Sequence, residues 1–115
     1  MTTPVSYEVS DSVASIVMDD AKVNVLNFAM FEALNEAMDR AEADQAAVLL
    51  AGREGKFSAG FDLSVLGSFG PDTLRLLRAG FELSYRMLSY PFPVVIACTG
   101  HAYAMTTGNG YDNIR

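Results

Sequence analysis

The stretch Lys56-Phe57-Ser58-Ala59-Gly60-Phe61-Asp62-Leu63 sets small residues and a glycine shortly after an apolar run, with an acid directly beyond them. Small residues where a buried strand ends let a ligand approach the backbone closely, and open α/β sheets bind ligands at such ends. A second place of this kind is Gly100-His101-Ala102-Tyr103-Ala104-Met105, behind the apolar run Pro93 to Cys98. If each loop aims one backbone N–H at a common point, the pair forms an oxyanion hole that holds negative charge developing on a carbonyl oxygen. Spacing alone leaves open the alternative that both are ordinary tight turns.

The side chains with chemical potential are few. Asp62 is a candidate base, but an acid just after a turn more often caps a following helix or anchors the loop. His101 is the one histidine, suited in principle to proton transfer near neutral pH. Ser58 lies beside small residues but lacks the G-x-S-x-G elbow of a serine nucleophile. Gly108-Asn109-Gly110 echoes a dinucleotide loop without its third glycine or a following helix. Cys98 is the one cysteine, so the chain makes no internal disulfide and no cysteine-based zinc site. It reads as a small buried hydrophobe, and this usage fits a reducing cytoplasm. No metal site is expected. With 14 acids against 8 bases the net charge is −6, which argues against nucleic acid as a partner. One phosphate can still be held by a few N–H groups. No apolar run approaches the roughly 20 residues that span a bilayer, so no membrane partner is expected. The N-terminus shows neither the basic nor the apolar region of a signal peptide.

The elements that must position these loops follow from periodicity. Val5 to Asp19 reads as a hairpin, with Val13, Ser15 and Val17 alternating with Ala14, Ile16 and Met18 and with Ser10-Asp11-Ser12 as turn. Asn27 is the predicted N-cap of a helix whose stripe is Phe31, Leu34, Met38 and Ala41. Ala46 to Ala51 reads as a strand buried on both faces, of the kind found in parallel sheets. Arg53 to Leu63 reads as loop. Pro71 opens a helix that runs to about Ser89 and is stopped by Pro91 and Pro93. That helix carries two apolar stripes, one of Leu74, Leu77, Phe81, Tyr85 and Leu88, the other of Leu76, Leu83, Met87 and Tyr90. A helix so apolar asks for cover on more than one side, so the chain is expected to be poorly self-sufficient. Pro93 to Cys98 is a third apolar strand, and residues 106–115 read as loop. Strands alternating with helices predict an α/β fold with βαβ crossovers, in one domain over residues 1–115.

The segment F-S-A-G-F-D-L, a few residues after an apolar V-L-L strand, resembles the crotonase (enoyl-CoA hydratase/isomerase) superfamily signature F-S/C-A-G-x-D-L/I. Upstream, K-V-N-V-L-N resembles the family segment K-x-N-A-L. Downstream, Y-P-F-P-V-V-I-A-C-T-G-H-A-Y-A-M is similar to the family's third strand and G-G turn. These matches stand in family order from Val5 to about Met105. The resemblance implies a ββα superhelix, a β-hairpin followed by βαβ units, of which this chain is the N-terminal half. It further implies an acyl-CoA thioester substrate, coenzyme A arriving as part of it and no separate cofactor. The oxyanion hole would be the backbone N–H groups of Phe61 and Met105, with Ala104 and Met105 in place of the two glycines. Lys22, Val23 and Val25 match the segment along the CoA nucleotide. Ala59, Gly60, Asp62 and Leu63 match the loop around adenine and pantetheine. The resemblance also implies a homo-oligomer, trimer or hexamer in the full-length family, and a cytoplasmic location.

The chain departs from the pattern at one point that matters for chemistry. Family hydratases carry a glutamate three residues after the second donor, and Gly108 holds that position; a second family acid would lie beyond Arg115. The resemblance therefore implies a chain incomplete or inactive as a hydratase. A non-catalytic acyl-CoA-binding or assembly fragment is the alternative. A Clp-type serine peptidase half-domain ranks below both, because Thr106 and Thr107 stand where its serine would be.

Overall fold

The computed structural model describes residues 4–21, 24–52, 56–58, 60–97 and 101–102. Strands β1 (Val5–Ser10) and β2 (Val13–Met18) form the expected hairpin, antiparallel, with Ser10 opposite Val13. Its two-residue loop, Asp11 and Ser12, has φ values of 52° and 64°. Two successive positive φ values match the right-handed twist of the flanking strands, and a short polar Asp tolerates the first of them.

Asn27 caps helix α1 (Phe28–Ala43), its side-chain oxygen accepting the Met30 N–H at 2.8 Å. The helix ends in a Schellman arrangement: Gln45 turns left-handed at φ 52°, its N–H donates to Glu42 O, and the Ala46 N–H donates to Ala41 O. The buried stripe holds the four predicted residues together with Met30 and Ala37. Removing the cap with Asn27→Ala is expected to lower stability by about 1 kcal/mol, read as a reduced urea midpoint at unchanged slope.

Strand β4 (Ala47–Ala51) runs parallel to β2, and β7 (Val94–Ala97) runs parallel to β4, giving one sheet in the order β1-β2-β4-β7. The expectation that β4 is buried on both faces does not hold. Val48 and Leu50 are buried while Ala47, Leu49 and Ala51 are half-buried. The reason is that the core lies on one side of the sheet: Ile16, Val48 and Leu50 meet Leu34 and Met38 of α1 and Leu83 and Met87 of the later helix α3 (Pro71–Leu88) around one small void. On the other side Leu49 sits between Ser15 and Val95, and Val95 is 57 % exposed.

Helix α3 (Pro71–Leu88) begins at Pro71 and ends at Ser89, as the sequence predicts. Its two stripes have different fates. Leu76 and Leu83 are buried and Met87 and Tyr90 pack against the core, whereas Leu74, Phe81, Tyr85 and Leu88 are exposed. Arg86 ties α3 to α1. Its guanidinium donates to Asn35 O at 3.2 Å and pairs with Asp39 at 2.6 Å and Glu42 at 3.3 Å.

Helix α1 is also fastened to the hairpin. The Arg40 guanidinium lies 4.2 Å from the Tyr7 ring centre, and the Tyr7 hydroxyl donates to Asp44 at 2.6 Å. Partial burial, then the bond to the Asp44 carboxylate, push the Tyr7 phenol up to about 12 from 10.0. A phenol whose folded value is raised favours the neutral form, so its stabilisation is whole below pH 10 and lost as pH climbs toward 12. Tyr7→Phe should therefore flatten the fall of the urea midpoint in that interval. An equally steep fall in the variant would assign the alkaline loss to another group.

Candidate functional site

The run Arg53 to Leu63, read from sequence as plain loop, contains two short strands, β5 (Lys56–Ser58) and β6 (Gly60–Phe61). Each pairs in parallel with a segment distant in sequence. β6 lies beside β3 (Val25–Leu26), with Val25 opposite Gly60 and Leu26 opposite Phe61. β5 lies beside β8 (His101–Ala102), with Lys56 opposite His101 and Ser58 opposite Ala102. Runs this short carry little strand signal of their own, because their pairing partner is supplied by the tertiary fold.

Gly60 has φ 89°, a conformation open to glycine and closed to most other residues, so a glycine is needed there. Its N–H donates to Ser58 Oγ at 2.9 Å. Two residues on, the Asp62 N–H donates to Leu26 O at 3.1 Å. Alternate N–H groups along a strand point to opposite edges, so the Phe61 N–H between them is directed away from β3. The Phe61 ring is half-buried and lies 6.1 Å from that of Phe31 on α1, which anchors the loop to the core.

Asp62 is the N-cap of helix α2 (Leu63–Leu66), a single turn that the sequence reading missed; its Oδ1 accepts the Ser64 N–H at 3.0 Å and the Ser64 hydroxyl at 2.7 Å. The capping role weighed for this acid is thus the one its side chain plays. Leu63 is 79 % exposed, open to contact from outside. Of the residues assigned to the site, Val25, Gly60, Phe61, Asp62 and Leu63 come together at the β3–β6 pair. Lys22, Val23, Ala59 and Met105 lie outside the described residues, as does the tail 106–115.

Two residues beneath the loop have a part that the sequence reading did not give them. Asn24 is fully buried in the left-handed conformation at φ 56°, and Ser58 is 1 % exposed. The Asn24 amide donates to Met18 O and to Phe57 O, both at 2.9 Å, while its Oδ1 accepts the Asp20 N–H. The Asp20 carboxylate accepts the N–H groups of Asn24 and Val25 at 2.9 and 3.0 Å. The Ser58 hydroxyl donates to Asn24 O at 2.7 Å, so it is committed to backbone and not poised as a nucleophile. A visible signal existed, an Asn between two valines ahead of a strand, but its bond partners lie up to 34 residues away. Among the described residues no group of three His, Cys, Asp or Glu side chains is placed to hold a metal, and no helix is long and apolar enough to cross a membrane.

The sequence profile of the enoyl-CoA hydratase/isomerase family matches residues 8–109. A probable enoyl-CoA hydratase of Rhodobacter capsulatus is 35 % identical over 100 residues, covering 85 % of this chain and 39 % of that protein. The fold is similar to that of an enoyl-CoA isomerase of Mycobacterium tuberculosis, at TM-score 0.87 and 53 % identity over 93 % of this chain and 47 % of the other. It is likewise similar to an enoyl-CoA hydratase of Mycobacterium ulcerans, at TM-score 0.85 and 56 % identity over 90 % and 46 %. This chain thus spans less than half the length of these relatives. The α/β architecture is that of the crotonase fold over the matched portion, and the chain belongs to the enoyl-CoA hydratase/isomerase family.

Proposed function

We propose that this chain supplies the acyl-CoA-binding and oxyanion-stabilising part of an enzyme of the enoyl-CoA hydratase/isomerase type. The observation that carries the reading is the β3–β6 pair, which lays Val25-Leu26 directly against Gly60-Phe61. Two segments more than thirty residues apart, each resembling a family ligand-binding motif, thereby form one surface. On it the Phe61 N–H is directed away from β3, toward the thioester oxygen of a bound substrate. The β5–β8 pair brings His101 and Ala102 next to the same loop, and the family resemblance assigns the second donor to Met105 a few residues further along the chain. Each such donor contributes roughly 3–4 kcal/mol to the stabilisation of the developing enolate. The Asp62 cap holds the exposed Leu63 turn against the pantetheine side, with Lys22, Val23 and Ala59 as further CoA contacts.

Acetoacetyl-CoA tests this, because its enolate absorbs in the near ultraviolet and its population rises on binding where the thioester oxygen is stabilised. The chain is expected to bind it and to raise the enolate band. Binding no tighter than that of pantetheine alone, with no band, would sink the proposal.

Polarising the thioester is not hydration, which also needs a proton acceptor on the water and a donor to the α-carbon. Asp62 is engaged as a helix cap, and Gly108 stands where family hydratases carry glutamate. The unmodified chain is therefore expected to leave a short enoyl-CoA unhydrated, followed as persistence of the conjugated thioester absorbance. Rapid loss of that absorbance would make Asp62 the first residue to examine as the proton carrier. A binding fragment without turnover is the second reading, favoured by the same capping role of Asp62.

A further inference from the structure

We propose that Asn24 and Ser58 are positioning residues that orient the Gly60–Phe61 peptide, and with it the Phe61 N–H, toward a bound thioester oxygen; this rests on the reading of the loop as an oxyanion-binding site. Strand β6 is two residues long, and Gly60 has the backbone freedom of any glycine. Something other than local preference must therefore hold this peptide in one orientation. The bonds around it do so in series. Asn24 is fixed between Met18 O and Phe57 O; its own carbonyl accepts the Ser58 hydroxyl; and Ser58 Oγ in turn accepts the Gly60 N–H. On the far side the next peptide, Phe61–Asp62, is held by the Asp62 N–H on Leu26 O.

The chain of bonds runs through buried groups, Asn24 at 0 % and Ser58 at 1 % exposure, where no water competes for them. It also links the two halves of the candidate site. The Asp20 carboxylate clasps the N–H groups of Asn24 and Val25, on the nucleotide side of the reading, while Ser58 bonds the Gly60 N–H on the thioester side. An oxyanion donor acts through preorganisation, so a peptide that can rotate loses the effect while the rest of the ligand surface is retained.

The test compares the full chain with Ser58→Ala and Ser58→Cys, using free CoA and acetoacetyl-CoA as probes. Cysteine keeps a weak donor and acceptor at the same place. Ser58→Ala is expected to bind free CoA within about twofold of the parent and to lose about tenfold or more of the enolate band. That is short of the ~10²–10³-fold cost of removing a donor outright. Ser58→Cys should recover part of the band, and it carries the comparison if the alanine variant fails to fold. Asn24→Asp keeps the bond to the Asp20 N–H but loses the two donated by the amide, and should give a like loss of band. Equal losses for CoA and for the enolate band would overturn the positioning role in favour of general structural support. A parent protein that binds CoA without an enolate band would instead overturn the reading of the site. In that case the Phe61 amide resonance decides separately: unmoved by Ser58→Ala, it removes the positioning role as well.

Discussion

Gly60→Val is expected to weaken acyl-CoA binding at least about tenfold, while His101→Gln leaves it within about twofold. At φ 89° Gly60 occupies a region that a β-branched residue enters only with strain of about 1–3 kcal/mol, and 1.4 kcal/mol is already a factor of ten. The strain is relieved by rotating the same peptide that carries the Phe61 N–H. A valine side chain at this place also stands between ligand and backbone on a surface that depends on close approach. His101 faces Lys56 across the β5–β8 pair, and the family resemblance gives it no part in the chemistry. Calorimetric titration of both variants with a short acyl-CoA measures the contrast. Equal affinities would remove the Gly60 loop from its proposed role.

Leu83→Ala should cost about 2–5 kcal/mol of stability, whereas Phe81→Ala, two residues earlier on the same helix, should cost less than about 0.5 kcal/mol. Leu83 is 2 % exposed and lines the same small void as Ile16, Val48 and Leu50 of the sheet and Leu34 and Met38 of α1, so truncation enlarges a cavity that four elements share. Phe81 is 66 % exposed, and its ring gains little from folding. Urea unfolding by far-UV circular dichroism compares the two; similar midpoints would mean that α3 docks on its other stripe. That outcome would contradict the Arg86 bridge to Asp39, which orients α3 with Leu83 inward.

The local grammar of the chain was legible without coordinates. The period-2 run Val13 to Met18, the Asn27 cap with its apolar stripe, and the Pro71 start and Ser89 stop of α3 depend on neighbours within about four residues. Each therefore shows in the sequence as type and spacing. Asp62 as a cap belongs to the same class, since its bonds reach only to Ser64.

What the residues could not reveal is which of two equally apolar surfaces finds a partner. The Leu74–Phe81–Tyr85 and Leu76–Leu83–Met87 stripes of α3 read alike, and only docking on α1 and the sheet buries the second while leaving the first exposed. The same holds for β4, which reads as buried on both faces yet lies against helices on one. At the site, F-S-A-G-F-D-L and K-V-N-V-L-N were each recognisable. Their contact was not, because β3, β5, β6 and β8 are two or three residues long and exist only as pairs. Sequence alone thus determined the family and the main helices and strands, since these rest on short-range chemistry. Tertiary structure alone decided that Asn24 and Ser58 lie buried and hydrogen-bonded beside Gly60, because burial and hydrogen bonds between residues more than thirty positions apart are properties of the folded chain.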